Sequence, residues 1–441
     1  MRKQVLTIQG LKVAYTRTDN SANKFIGRFL HRSQQTELIL KNINLSVYED
    51  EILGLVGESG CGKSLTVKSI FGMINFFPGI ISGQINYFTS AGEKISLLDY
   101  LDDSNNQNNA GYFGTTDYKE LIHSNNAENR ISSKPTKRWK YNDRMEYEAI
   151  DSMKNIDGEL YFDIFKREHP YSGNLSEIIQ KTYRQKKAQG QVLAGKEISI
   201  ILQDPLTFLN PHWSIKTQIE NLFNLFSYGR KKSKIKGFDN IARWQSTKKI
   251  LKDLRINTTE FLTKIPRELS GGQAQRVMIV LSRMSDPELL IADEPTTGLD
   301  VTLKKRVVDF FRERKKSMIF ISHDLNMVRM VADRINVMYN GEIVENCISA
   351  HFMPGFLHHP FTEKLVSVFY TDYAEYIEQE LPSKTQMKHY NGCAYALQGC
   401  PHVKEICKDI SPPAIDTDSK SFISDQVTER QWVKCWKFLD E

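Results

Sequence analysis

Eight residues near the N-terminus constrain the fold of this chain more than any other feature. They form the pattern G-x-x-x-x-G-K-S and are Gly57, Glu58, Ser59, Gly60, Cys61, Gly62, Lys63 and Ser64. The pattern follows the apolar run ILGLV (52–56) and precedes KSLTVKSIFGMI (63–74), where Leu65, Ile70 and Met73 recur at helical spacing. A strand, a glycine-rich turn and a helix in this order predict the opening unit of an α/β fold.

The glycine-rich turn is predicted to bind phosphate. Its glycines allow successive backbone N–H groups to point at one anion, and the helix N-terminus adds partial positive charge. Lys63 is expected to reach the β- and γ-phosphates of a nucleotide, and the Ser64 hydroxyl is expected to hold Mg²⁺. The stretch from Gly57 to Leu65 is therefore predicted to bind ATP.

Two carboxylates follow a second apolar run, LLIA (289–292). A buried strand that ends in acids places them beside the phosphate loop of an open parallel sheet. Asp293 is then expected to contact the metal, and Glu294 is expected to polarise an attacking water. Two acids alone would be typical of a solvated strand end, but the phosphate loop upstream favours the catalytic interpretation.

Composition narrows the class of protein further. The chain has 441 residues, of which 40% are hydrophobic, so it can build a sizeable core in two or three domains. Its mean hydropathy of −0.43 and the lack of any run of eighteen apolar residues predict no transmembrane span. The N-terminus MRKQVLTIQG has no apolar segment, so no signal peptide is expected. These features predict a soluble, cytoplasmic protein, and the net charge of +6 suits an anionic ligand.

The distribution of residue types along the sequence predicts that the chain has three parts. Strand-like runs alternate with helix-compatible stretches in 1–99 and 176–345, which is typical of a parallel sheet covered by helices. Residues 100–175 begin with an asparagine-rich tract and then become aromatic, and we interpret them as an insertion that is partly disordered or a small lobe. Residues 346–441 are irregular and carry four of the six cysteines.

Further motifs resemble those of the ATP-binding subunits of ABC transporters. LSGGQ (269–273) matches the signature of that family, Gln203 in ILQDPLTFLNP matches its Q-loop, and TGLD (297–300) matches its D-loop. His323 in IFISHDL matches the switch histidine, and Tyr15 stands where the family stacks an aromatic ring on adenine. The resemblance implies catalytic roles for Glu294, His323 and Gln203, and Mg²⁺ contacts from Ser64, Gln203 and Asp293. It also implies nucleotide contacts from Ser270, Gly271, Gly272, Gln273 and Asp300 across a dimer.

The resemblance extends to one branch of the family, the D-type ATPases of oligopeptide, dipeptide and nickel transport. The segments QDPLTFLNP, PRELSGGQAQRVMI, ADEPTTGLDVT, VMYNGEIVE and HHPFTEKLV carry it, together with a terminal cysteine cluster. Gly298 departs from the pattern, since this branch usually has alanine there. The fold implied is an ABC-type P-loop ATPase domain with a RecA-like parallel sheet, an antiparallel β subdomain and a helical subdomain. An inserted lobe and a cysteine-containing C-terminal extension complete it.

The resemblance also implies a function and partners. The chain is expected to hydrolyse ATP and so power import of oligopeptides at the cytoplasmic face of the cell membrane. Dipeptides and nickel or another metal chelate stay open as cargo. The expected partners are a second ABC ATPase, related and F-type, two transmembrane permease subunits and an extracellular substrate-binding protein.

The four C-terminal cysteines are Cys393, Cys400, Cys407 and Cys435. None forms a C-x-x-C pair, which disfavours a zinc ribbon. Four thiolates suffice for a [4Fe–4S] cluster, and some members of this transporter branch carry one on similar cysteines. Reduced, partly buried thiols without metal are the alternative.

A nucleic-acid ATPase of the same family is the rival function. Chromosome-structure members carry long heptad coiled coils, which the insertion lacks, and translation-type members carry two phosphate loops where this chain has one GxxxxGKS. The basic run 130–144 could contact RNA, although a solvated face or contact with anionic lipid is more typical of such a run. We therefore expect no nucleic-acid partner. A regulatory domain without catalysis is disfavoured because Glu294 and His323 are both present.

Overall fold

The computed structural model describes residues 2–18, 34–76, 78–100, 139–141, 145–147, 175–189, 193–226, 236–256, 258–370, 392–423 and 430–439. Most of the predicted insertion 100–175, with most of the basic run 130–144, lies outside the described residues. Within the described ranges, no helix combines the length and the hydrophobicity that crossing a bilayer requires.

Strands and short helices alternate along the chain. The strands are β1 (Gln4–Thr18), β2 (Gln34–Tyr48), β3 (Ile52–Gly57), β4 (Pro78–Phe88), β5 (Lys94–Tyr100), β6 (Trp139–Tyr141), β7 (Met145–Tyr147), β8 (Ile198–Ile201), β9 (Leu289–Asp293), β10 (Ser317–Ile321), β11 (Arg334–Tyr339), β12 (Glu342–Ile348), β13 (Ala414–Asp416), β14 (Phe422–Ile423) and β15 (Trp432–Lys434). The α-helices are α1 (Lys63–Ile70), α2 (Ser176–Ala188), α3 (Pro205–Phe208), α4 (Ile215–Phe226), α5 (Lys236–Asp253), α6 (Thr258–Phe261), α7 (Gly271–Arg283), α8 (Val301–Arg312), α9 (Leu325–Val331), α10 (Pro360–Tyr370) and α11 (Ile406–Asp409).

Two sheets organise the nucleotide-binding part. The smaller sheet is antiparallel with the order β2-β1-β4-β5, and Leu6, Ile8 and Val13 of β1 are buried in its core. The larger sheet has the order β14-β13-β15-β12-β11-β3-β10-β9-β8. Its strands β11, β3, β10, β9 and β8 are parallel, so their carboxyl ends meet at one edge. The predicted α/β fold with a parallel core and an antiparallel subdomain is confirmed.

Helix α1 is shorter than its sequence pattern predicts. The apolar spacing predicts a helix over 63–74, whereas the helix ends at Ile70. Gly72 follows in a left-handed conformation with φ 62°, and a Cβ at this position would lie 2.5 Å from the Ser176 backbone oxygen. The chain therefore turns where α2 packs too closely for a side chain.

The described residues on either side of the insertion meet on one strand. Tyr100 pairs with Gly83 of β4, and the Leu175 N–H donates to the Ile80 backbone oxygen at 3.1 Å. Three residues of strand span about 10 Å, so the two ends of residues 101–174 emerge close together. The described residues before and after this segment thus belong to one fold.

The C-terminal strands extend the same sheet as the nucleotide-binding strands. Glu345 of β12 pairs with Val433 of β15, and Ile415 of β13 pairs with Val433 on its other side. The boundary predicted at residue 345 falls inside β12. The division into 1–99 with 176–345, 100–175 and 346–441 stays a prediction.

Candidate nucleotide site

The phosphate loop is packed against neighbouring backbone with no room for side chains at its first and last glycines. A Cβ on Gly57 would lie 2.1 Å from the Met338 backbone oxygen. Gly62, the residue that caps α1, has φ 110°, and a Cβ there would lie 2.5 Å from Leu40 Cδ2. The motif therefore requires glycine at both positions, for close approach and for backbone conformation.

Lys63 points into the concave side of this loop. Its Nζ donates to the backbone oxygens of Gly57 and Glu58, both at 2.8 Å. Cys61 Sγ lies 3.7 Å from the same Nζ, and burial raises the pKa of this thiol. The loop thus holds the Lys63 cation against its own backbone oxygens.

Asp293 and Ser64 meet at the carboxyl edge of the parallel sheet. The Ser64 Oγ donates to Asp293 Oδ1 at 3.0 Å. Asp293 is 1% exposed, and among the described residues its Oδ2 has no hydrogen-bond partner although it is buried. Burial is the largest cause that raises the pKa of this carboxyl group. A carboxylate oxygen with free acceptor capacity beside a hydroxyl fits the oxygen donors that Mg²⁺ prefers.

Glu294 is held by the loop that follows the neighbouring strand. Its Oε1 accepts from the His323 backbone N–H at 3.0 Å, and its Oε2 lies 2.8 Å from His323 Nδ1. The backbone of Glu294 has φ 52°, a left-handed conformation that costs about 1–2 kcal/mol for a residue with a Cβ. The Glu294 N–H donates to the Ile321 backbone oxygen at 2.9 Å and helps hold that conformation.

Two further residues predicted for the nucleotide site lie at separate places. Gln203 lies at the edge of the parallel sheet, and Tyr15 lies on the antiparallel sheet. Gln203 is exposed and follows β8, whose Ile201 pairs with Ala292 of β9, so it emerges at the same edge as Asp293. Tyr15 lies on the antiparallel sheet, is 41% exposed and contacts Phe76 edge-to-face at 5.4 Å between ring centroids. An exposed aromatic ring at this position is available for stacking.

The signature residues begin helix α7. Ser270 is the N-cap, its side chain accepts from the Gln273 N–H at 3.3 Å, and Gln273 Oε1 accepts from the Ser270 N–H at 2.9 Å. This capping box leaves Ser270 and Gly271 exposed at the helix N-terminus. The helix start therefore presents its N–H groups and a serine to solvent.

The D-loop packs directly on the signature. A Cβ on Gly272 would lie 2.8 Å from the Gly298 backbone oxygen, so this contact requires glycine. Gly298 itself has φ 74°, which explains physically why a glycine suits a position where the related branch usually has alanine. Asp300 caps α8 by accepting from the Leu303 N–H at 2.9 Å.

The four C-terminal cysteines share one lobe. The Cys393 N–H donates to the Cys407 backbone oxygen at 2.8 Å. Burial, and after it the charges of Cys393, Cys400 and Cys407, raise the pKa of Cys435 to about 12. Within the described ranges, however, no group of three or more His, Cys, Asp or Glu residues is placed to hold a metal ion. The structure therefore gives the iron–sulfur prediction no support.

The sequence interpretation gave no role to the turn that supports the phosphate loop. Gly341, between β11 and β12, donates its N–H to the Cys61 backbone oxygen at 3.1 Å. Asn340 and Gly341 both have positive φ, 46° and 82°. An Asn-Gly pair between two apolar strands predicts such a hairpin turn, but only the strand pairing brings it to the loop.

The sequence profile of the ABC transporter family matches residues 40–159 and 160–297, which together make up more than half of the chain. The chain belongs to this family. The matched region holds the phosphate loop, Gln203, the signature, Asp293 and Glu294.

Curated relatives narrow the resemblance to peptide transport. The chain is 35% identical over 237 residues to the dipeptide transport ATP-binding protein DppD of Haemophilus influenzae. The aligned region covers 51% of this chain and 67% of the relative. It is 40% identical over 163 residues to the oligopeptide transport ATP-binding protein OppD of Bacillus subtilis, covering 35% of this chain and 42% of the relative. The DppD protein of Escherichia coli is 33% identical over 229 residues, covering 50% and 66%.

Proposed function

We propose that this chain is the ATP-hydrolysing subunit that powers import of oligopeptides through partner transmembrane subunits. The observation that carries the proposal is the set of side chains at one edge of the parallel sheet, where Lys63, Ser64, Asp293, Glu294 and His323 are linked by hydrogen bonds or adjacency. Family membership and the names of the curated relatives support ATP use and peptide transport.

The chemistry proposed for this site is phosphoryl transfer to water. Lys63 would neutralise charge on the β- and γ-phosphates, and Ser64, Asp293 and Gln203 would hold Mg²⁺. When bound, Mg²⁺ supplies positive charge to the phosphate oxygens. Glu294 would orient a water and accept its proton, while His323 keeps the carboxylate in place through its N–H and Nδ1.

A complete site is proposed to need a second ATPase subunit. Ser270 and Gly271 are exposed at the start of α7, and Val301, directly after Asp300, is 83% exposed. A helix N-terminus and an apolar side chain on the same face suit closure over the nucleotide of a partner, with Ser270, Gly272 and Gln273 on its γ-phosphate. We propose a related F-type chain as this partner.

An exposed apolar surface follows Gln203 directly and is the proposed contact with the permease subunits. It consists of Leu206, Phe208 and Trp213, which are 45%, 44% and 46% exposed. A partner that covered these three large apolar side chains would remove their surface from water, which is typical of an interaction site. Because the surface adjoins Gln203, a change at the γ-phosphate would reach the permease through this segment. The chain would then sit at the cytoplasmic face of the membrane, with an extracellular binding protein delivering peptide.

Co-purification with the permease subunits tests this surface. We expect Trp213→Asp and Phe208→Asp to lower recovery of the chain with tagged permease subunits at least tenfold, because a charge cannot be buried unpaired at an apolar interface. ATP binding should equal that of the parent. Phe422→Asp is the matched control, since Phe422 is 62% exposed in the C-terminal lobe. Equal recovery of the Trp213, Phe208 and Phe422 variants would refute the assignment.

Dipeptides are the second candidate cargo, because two of the relatives described above are dipeptide transport proteins. The permease and the binding protein select cargo, so uptake by the assembled transporter decides between the two. Nickel or another metal chelate is the remaining alternative, and no described feature favours it.

The iron–sulfur cluster stays a prediction that rests on the four cysteine positions. Protein purified without oxygen is expected to be brown, to contain about four iron atoms per chain and to lose them when the cysteines are replaced by serine. Elemental analysis of the parent and of Cys400→Ser measures this directly. Stoichiometric zinc would replace the prediction with a zinc site, and metal-free protein would leave four reduced thiols.

A further inference from the structure

The phosphate loop rests on the β11–β12 turn. The Gly341 N–H donates to the Cys61 backbone oxygen at 3.1 Å. The Met338 backbone oxygen packs so closely on Gly57 that a Cβ there would lie only 2.1 Å from it. The Met338 Cε would lie 2.8 Å from a Cβ on Gly62. Both ends of the loop are thus in contact with residues 338–341, and a displacement of this turn displaces the loop.

Tyr339 connects this turn to the C-terminal lobe. It is 4% exposed, and its ring lies 4.5 Å from Phe361 and 5.5 Å from Tyr395, measured between centroids. Its hydroxyl donates to Gln398 Oε1. The turn is therefore held from the lobe by a hydrogen bond and by two aromatic contacts.

Two of the residues that hold Tyr339 lie in one short segment between two of the cysteines. Tyr395 and Gln398 belong to the 3₁₀ helix Ala394–Gln398, which follows Cys393 and precedes Cys400. A contiguous set of contacts thus leads from the cysteines to the loop.

We propose that Tyr339 is a positioning residue for the phosphate loop, and that the C-terminal lobe sets the affinity for MgATP by holding Tyr339 through Gln398 and Tyr395. The proposal rests on the proposed nucleotide-binding function and adds a control point outside the nucleotide site. A change in the segment 393–400 would act on nucleotide binding rather than on the chemical step, because the contacts reach the loop and not Glu294.

Removal of single contacts in the full-length chain tests the proposal. Tyr339→Phe deletes only the hydroxyl, and Gln398→Ala deletes its acceptor. Each is expected to raise the dissociation constant for MgATP about three- to tenfold, the range of a lost buried hydrogen bond. The double variant should show no more than the larger single effect, because both changes remove the same bond. Turnover at saturating ATP should equal that of the parent, and so should the thermal unfolding midpoint of Tyr339→Phe within a few degrees.

The control lies in the same lobe, away from Tyr339. Lys408 pairs with Glu405 on the lobe surface, and the side chains are 53% and 89% exposed. Lys408→Ala is expected to leave the dissociation constant unchanged. If Tyr339→Phe and Gln398→Ala bind MgATP as tightly as Lys408→Ala, the proposal is wrong. A parent chain that binds no ATP would instead overturn the proposed function.

Thiol labelling measures the coupling in the opposite direction. Cys393 and Cys400 are half-buried on either side of the 3₁₀ helix Ala394–Gln398, which contacts Tyr339. By linkage, MgATP should change their rate of maleimide labelling in the metal-free parent chain at least threefold, read peptide by peptide, and should change it less in metal-free Gln398→Ala. The same MgATP effect in the parent and in Gln398→Ala would contradict transmission through the Tyr339–Gln398 bond.

Discussion

Replacing Glu294 with glutamine is expected to lower the rate of ATP turnover about a hundredfold or more. The amide keeps the size of the side chain and an oxygen that can accept from the His323 N–H, which the carboxylate accepts at 3.0 Å. It cannot accept a proton from water. Lys63, Ser64 and Tyr15 are unchanged, so ATP should still bind and the closed dimer should accumulate.

The loss of turnover is measured as phosphate release by the assembled complex. The retained ATP binding is measured as the nucleotide affinity of the same preparation. Glu288→Gln is a suitable control, because Glu288 immediately precedes β9 at the opposite end from Glu294 and its side chain is 40% exposed. Its turnover should match the parent. Hydrolysis at the parent rate by Glu294→Gln would remove Glu294 from the proposed mechanism.

Replacing Glu51 with alanine is expected to lower the free energy of unfolding by about 3–5 kcal/mol. Glu51 Oε1 and Oε2 accept from Arg334 Nε and Nη2 at 2.8 and 3.0 Å, and the two side chains are 2% and 8% exposed. Asn346 and Ser46 accept further N–H groups of Arg334. Without Glu51, the guanidinium keeps these neutral acceptors but loses its only charged hydrogen-bond partner among the described residues.

Urea unfolding of the chain measures this effect. Glu220→Ala provides the contrast, since Glu220 lies 3.9 Å from Lys216 in a pair whose side chains are 46% and 58% exposed. Such a pair is expected to contribute less than about 1 kcal/mol. Equal losses for the two variants would mean that the buried pair of Glu51 and Arg334 does not stabilise the fold as expected.

Local sequence was sufficient to predict the strand, turn and helix around residues 57–64 and the buried strand that ends in acids. In both cases the elements before and after the motif follow directly in the chain, so a strand, a turn and a helix could be recognised together. Asp293 ends a strand whose apolar residues are all buried, and Glu294 follows it directly. The contact between Glu294 and His323 needed the structure, because it depends on the pairing of β9 with β10.

Long-range pairing explains what the sequence could not predict. The addition of β15 to β12 joins residues that are far apart in the chain, and neither strand is longer than seven residues. The contacts of Tyr339 with Tyr395 and Gln398 likewise join residues that are far apart in the chain. The sequence predicted a C-terminal extension with four cysteines, but spacing alone does not fix the directions of thiols.

Peptide uptake by proteoliposomes tests the central claim most directly. The vesicles would contain this chain, the partner ATPase and the two permease subunits, with a labelled oligopeptide supplied on its binding protein. Uptake that requires MgATP in the parent and falls to background with Glu294→Gln is the predicted result. A parent complex that hydrolyses ATP but accumulates neither oligopeptides nor dipeptides would contradict the account.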